Sequence, residues 1–284
     1  MCRSVIESYS DFRINYEDFI KKFYGIECYN LEDKIEREVE ALKGTLIKSS
    51  SLGHFKNLNL DGLIVEMKKK VSKEVRVPKH EKLYVNSMPE QLSRRYNVMT
   101  YFPNAEISKG YTSGILWVDF SSLPNHSVDT IKLMLAHETY LGHHLHYTTI
   151  ASSKIPLVFK IPFFNKASPL IEGIGVCGEY LWAKWNATLS VFYERRLIDA
   201  LRAKGDIMHH KYSTRHEDIR RDFPQWAFFE EMSSIFPGYW LCHLIGFKEI
   251  LNFSSKFNSI KEAYINVLNK GFISLNLLKD SIDV

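Results

Sequence analysis

The run His137-Glu138-Thr139-Tyr140-Leu141-Gly142-His143-His144-Leu145-His146 decides how the rest of the chain is read. Eleven histidines are spread over 284 residues, yet four of them fall in this one run. A lone histidine on an apolar helix face is ordinarily a satisfied core residue. Four together, with a carboxylate beside the first, carry the donor types of a catalytic zinc, which takes three protein ligands and keeps one position for water.

Spacing puts a condition on that reading. The usual form, H-E-x-x-H, sets two histidines four apart on one helix face, and here the second position is Leu141. His137 and His144 share a face, but in a straight helix they stand about 10.5 Å apart along the axis, too far for one ion. His137 and His143 point to different faces of a straight helix. A metal site therefore requires distortion between Tyr140 and His143. Gly142 tolerates such a distortion, and a π-bulge is the commonest device. The competing reading is an irregular histidine-rich turn.

A third ligand has to come from elsewhere. Glu172 lies in the run Ile171-Glu172-Gly173-Ile174-Gly175-Val176-Cys177-Gly178-Glu179. Its three glycines are each unfavourable in a helix by about 1 kcal/mol against alanine, which makes sense if another backbone or a ligand approaches closely. Glu172 and Glu179 share a face of an otherwise apolar helix. Burying a bare carboxylate is expensive, so the pair either needs a partner, such as a metal, or points to solvent.

Working outward, a helix is expected over 126–148, capped by Asn125 or Ser127. Another starts at Ser168 as N-cap, with Pro169 in its first turn. It continues to Ala203 with a bend near Asn186 and a stop at Lys204-Gly205. Residues 31–48 read as an amphipathic helix capped by Asn30. Its stripe is Leu31, Ile35, Val39, Leu42 and Leu46. Between 74 and 123, Val75, Val77, Leu83, Val85 and Ile115 to Phe120 look like short strands. His209, His210 and His216 are placed in a polar loop, and Trp226 to Phe229 in the core. The fold expected is mainly α with a small β-element, in a single domain over 1–284. Residues 1–73 form a helical N-terminal part, and 74–284 the motif-bearing core.

Composition narrows the function classes. Net charge is only +4, which argues for no nucleic-acid partner. The basic stretch from Lys68 to Lys82 lacks interleaved aromatics and reads as a solvated face. Cys2, Cys28, Cys177 and Cys242 are scattered and suggest neither a disulfide framework nor a cysteine zinc site. No signal peptide and no membrane span are seen. The best approach to a span, Ile155 to Phe164, is short and broken by Pro156, Lys160 and Pro162. A cytoplasmic location is expected.

Four runs resemble the domain-of-unknown-function 885 family, whose members are regarded as zinc peptidases. HETYLGHHLH is similar to that family's HEAYPGHHLQ, and EGIGVCGE to its EGWALYAE. FPGYWLCHLIG, 236–246, is similar to WPGQALSYKLG, and SGILWVDF, 113–120, to the strand PGxYYVN. The runs occur in the family's order and span roughly 75–250. Members are about twice as long, and the likeness is to their C-terminal half.

The resemblance implies a helical, zincin-like (gluzincin-type) domain holding Zn2+ through His137, His143 and Glu172. Glu138 would be the general base, and His243 or Tyr239 would donate to an oxyanion. His144 is the rival ligand, and Glu179 would orient a ligand histidine. The departures are Leu141 in place of the family's proline, and Thr112 and Met232 in place of two arginines. The function implied is a zinc metallopeptidase acting on a peptide or small-molecule amide. The alternative is a catalytically degenerate, metal-stabilised binding protein of the same fold. Mn, Co or Fe would suit the same donors. A di-iron carboxylate bundle needs Glu-x-x-His pairs, which Glu138, Glu172 and Glu179 lack.

Overall fold

The computed structural model describes residues 15–45, 59–93, 98–162 and 166–280. The chain is mainly helical, with one three-stranded sheet. In chain order the elements are α1 (Tyr16–Tyr24), α2 (Leu31–Thr45), α3 (Leu60–Val71), β1 (Lys82–Ser87), α4 (Glu90–Ser93), β2 (Met99–Pro103), β3 (Ser113–Val118), α5 (Val128–Glu138), α6 (His143–Ser152), α7 (Ser168–Trp185), α8 (Leu189–Tyr212), α9 (His216–Asp222), α10 (Glu230–Ile235), α11 (Tyr239–Ser254), α12 (Ile260–Leu268) and α13 (Leu275–Asp280). Strand β3 is central, parallel to β1 and antiparallel to β2.

Two hydrophobic centres matter for the site. The larger gathers α5, α6 and α7 with α12, the sheet and the C-terminal half of α11 through residues such as Leu135, Leu145, Ile174, Phe247 and Tyr264. The second sets α1 and α2 against α8 and the first turns of α11, through Ile20, Ile35, Ala203, Leu241 and Leu244. Helix α2 follows the expected stripe, with Leu31, Ile35, Val39 and Leu42 buried; the predicted Leu46 to Lys48 lie outside the described residues. Asn30 takes a left-handed conformation (φ 51°) just before it.

Several boundaries differ from expectation. Val75 is not in a strand: its N–H bonds to the carbonyl of Val71, closing the end of α3. Strand β3 ends at Val118 rather than Phe120, because the chain turns at Asp119, whose carbonyl accepts from the Ser122 N–H at 3.2 Å. Strand β2 was not singled out. Ser127 does cap α5, accepting from the Thr130 N–H. The long helix from Ser168 is two helices, parted at Asn186 and at Ala187 (φ 56°). Helix α8 runs through Lys204-Gly205 to Tyr212. Gly205 is a packing position, since a methyl group there would lie 2.7 Å from the Trp226 ring. His209 and His210 are therefore in the last turn of α8, and His216 opens α9. Trp226 is fully buried as expected, but Phe228 is exposed.

Candidate metal centre

The histidine run is a true break between two helices rather than a π-bulge. Helix α5 ends at Glu138 and α6 begins at His143. The turn between them is held by the Gly142 N–H on the Thr139 carbonyl (3.2 Å) and by the Leu145 N–H on the same oxygen (3.0 Å). It closes so tightly that a methyl group on Gly142 would lie 1.6 Å from the His137 carbonyl oxygen. From below, Tyr264 of α12 donates to the Leu141 carbonyl.

The glycines of α7 now have reasons. Gly173 lies against the backbone of Gly246 in α11, so the two helices meet main chain to main chain. Gly175 makes room for the His137 ring, and Gly178 for the Leu141 carbonyl. Each is a close approach that a side chain would block.

This packing brings His137, His143 and Glu172 together, all three buried, with one ligand atom from each within 4.8 Å of the others. Glu172 Oε2 lies 3.3 Å from His137 Nε2 and 3.5 Å from His143 Nε2. Ligands at the usual 2.0–2.2 Å from a tetrahedral ion stand about 3.3–3.6 Å from one another, so the donor set and its spacing fit a small cation. His144 is not part of the cluster. Its Nε2 lies 2.6 Å from Glu81 Oε2 and its Nδ1 3.3 Å from the Tyr101 hydroxyl. Lys68 and Tyr140 also reach Glu81. His146 is fully buried against Tyr147 and Phe272 with neither ring nitrogen hydrogen-bonded, and burial lowers its pKa to about 3. It is a neutral ring in the core.

Glu179 orients His137. Its Oε1 lies 2.8 Å from His137 Nδ1, and Arg195 donates to both of its oxygens at 2.6 and 3.0 Å. A carboxylate only accepts, so Nδ1 carries a proton, and Glu172 faces Nε2 in the same way. Although burial opposes it, these two carboxylates raise the His137 pKa to about 10, so a cation bound here would take the place of the Nε2 proton. Burial works against the Glu179 charge, but Arg195 and His137 outweigh it and hold the carboxyl well below its usual range. Glu172 likewise stays ionised: burial opposes it, and His243, His143 and His137 pull it down. In Glu179→Gln the ring loses its ionic partner, and metal affinity falls about 10–100-fold. Competition with a chromophoric chelator measures this; unchanged affinity would mean that Glu179 does no more than pack.

Glu138 is half-buried beside the cluster. The Tyr101 N–H of β2 donates to its Oε2 at 2.9 Å, leaving Oε1 without that restraint. Burial raises its carboxyl above the usual range, against the pull of His143 and His137. The first turns of α11 deliver the other expected residues. The Tyr239 hydroxyl donates to Glu172 Oε1 at 2.8 Å, and His243 Nε2 lies 3.1 Å from Glu172 Oε2. Every site residue expected from the sequence is thus at the centre except His144. The residues missed are Glu81, Tyr101 and Asp206. Asp206 is buried in α8 and accepts from Tyr16, Ser233 and the Gly238 N–H that precedes Tyr239. Of these, only Glu81 left a trace, as one of two acids, with Glu74, within the basic stretch.

No family model and no curated protein matches the chain. Solved structures do. The structure of a putative lipoprotein from Colwellia psychrerythraea superposes with a TM-score of 0.77 at 17% identity, over 94% of this chain and 54% of that one. A putative lipoprotein of unknown function from Shewanella oneidensis gives 0.65 at 12% identity, over 99% of this chain and 63% of that one. The fold is therefore one already seen, and the chain spans just over half to about three-fifths of the length of these two neighbours. The expectation of a cytoplasmic location is corrected by them, since both are described as lipoproteins. Among the described residues no helix is long and apolar enough to cross a membrane, but a lipid anchor requires none.

Proposed function

We propose that the chain is a zinc-dependent hydrolase of peptide or other amide bonds, with a zincin-like arrangement of the kind the family resemblance implies. The observation that carries this reading is the meeting of His137, His143 and Glu172 with Glu138 adjoining them. A bound zinc would polarise the substrate carbonyl and lower the pKa of water in the site. His137, His143 and Glu172 would hold it.

The chain's own residues supply the remainder. Glu138, fixed by the Tyr101 N–H through Oε2, takes the proton of the attacking water on Oε1 and returns it to the leaving nitrogen. Its raised carboxyl pKa suits both directions of transfer. Tyr239 and His243 offer donors toward the developing oxyanion, which competes with Glu172 for them. Strand β2 is an edge of the sheet beside Glu138, a place where an extended chain can lie.

The test is elemental analysis of the purified chain after zinc reconstitution, alongside Glu172→Ala and His143→Ala, followed by a peptide-mixture screen read by mass spectrometry. About one zinc per chain, lost in both variants, with chelator-sensitive cleavage, is the expected result. A wild-type chain that takes up no zinc overturns the proposal.

A further inference from the structure

The segment joining the two ligand-bearing helices α6 and α7 presents apolar side chains to solvent. Leu157, Val158 and Ile161 are 59%, 54% and 39% exposed. The short turn Leu157–Lys160 that carries them is framed by Pro156 and Pro162 and is fastened underneath. The Phe159 carbonyl accepts from the Phe272 N–H at 2.8 Å. Lys160 Nζ donates to the carbonyls of Ala151 (3.1 Å) and Ser153 (2.6 Å). Ile155, at the base, packs on the cluster of Tyr101, Tyr147 and Phe272. These apolar tips are therefore held outward by a braced turn.

Charge around the turn has one sign along the chain. Residues 139–171 contain three lysines, Lys154, Lys160 and Lys166, and no aspartate or glutamate. Lys154 is exposed. The neighbouring turn Ile107–Lys109 brings one acid, Glu106, which is paired with Lys109. Apolar side chains that sink a few ångströms, beside an exposed lysine (Lys154) that can reach phosphate, match a bilayer surface with anionic headgroups. A protein partner suited to the same patch would need a matching apolar hollow, whereas a bilayer takes protruding tips directly.

We propose that the turn Pro156–Pro162 is an interfacial membrane-docking element, which seats Leu157, Val158 and Ile161 among the acyl chains of an anionic leaflet with Lys154 at headgroup level. The element follows the C-terminal end of α6, so His143, at the other end of that helix, stands about 13.5 Å along its axis from the docked turn. The inference does not depend on metal or on catalysis.

Flotation of the full chain with phosphatidylcholine vesicles, with and without phosphatidylglycerol, tests it. The expected result is capture by the phosphatidylglycerol vesicles, weakened by raised salt and by Lys154→Glu. Capture should fall at least about tenfold in the Leu157→Ser, Val158→Ser double variant. Both replaced side chains are exposed, so the double variant should keep its circular dichroism spectrum and melting temperature, and a loss of capture reports the surface. Absence of wild-type capture, or capture that the double variant leaves unchanged, overturns the proposal. Self-association of the wild type without vesicle capture, abolished by the same double variant, also overturns it and assigns the patch to a second copy of the chain.

Discussion

Glu138→Gln should keep its metal and lose about a hundred- to ten-thousand-fold of its amide-hydrolysis rate, the range seen when a general base is removed. Glutamine keeps an oxygen that can accept the Tyr101 N–H now received by Glu138 Oε2, so the side chain stays where it is. It removes only the capacity to accept a proton. Glu138 is not among the three converging ligands, so metal content should stay at that of the wild type. Single-turnover cleavage of a peptide found in the screen, with metal measured on the same sample, is the readout. Loss of metal together with activity would make Glu138 a ligand instead. A metal-loaded wild type that cleaves nothing, and a variant that behaves identically, would favour the metal-stabilised binding protein over the enzyme.

Gly142→Ala should lose the metal site and about 3 kcal/mol or more of stability. The new methyl group would overlap the His137 carbonyl oxygen at 1.6 Å, and the Ala136 carbonyl oxygen is only 2.9 Å away. Backbone oxygens do not swing aside as flexible side chains do, so the turn between α5 and α6 has to open, and overpacking of this kind costs about 1–3 kcal/mol even where neighbours can adjust. Opening the turn moves His143 relative to His137. Gly44→Ala is the control: nothing lies within 4 Å of its added carbon in α2, so it should be neutral or stabilising by up to about 1 kcal/mol. Urea unfolding and metal content of both variants check the pair. A well-folded, metal-binding Gly142→Ala would mean that the tight turn is dispensable.

The centre was legible in the sequence to the extent that its chemistry sits in local runs. His137, Glu138 and His143 stand in one run, and Glu172 and Glu179 in another, and the glycines between the acids announced a close approach. The choice between His143 and His144 was not legible, because it depends on a turn whose shape comes from distant contacts, Gly178 and Tyr264 beneath Leu141. Tyr101 was invisible, since it acts through its backbone N–H, which every residue but proline has. Gly205 misled for a related reason. Alone it reads as a stop signal, and only the Trp226 ring lying on it explains why a helix continues through it. Strand edges at Val75 and Phe120 were misplaced because β-branched and aromatic residues also suit a buried helix end or an exposed turn.

Asp206 has a consequence for how the molecule responds as a whole. One carboxylate receives Tyr16 from the first described helix and the Gly238 N–H from the threshold of α11, and Ile20 and Tyr24 of the same helix pack on Gly238. A local opening that peels α1 away would release Tyr16, leave the carboxylate under-solvated, and slacken the start of α11, from which Tyr239 and His243 reach Glu172. On this basis the N-terminal helices and the candidate metal centre would open together, and a ligand that clamps α1 would be felt at Tyr239 as a change in population rather than in shape.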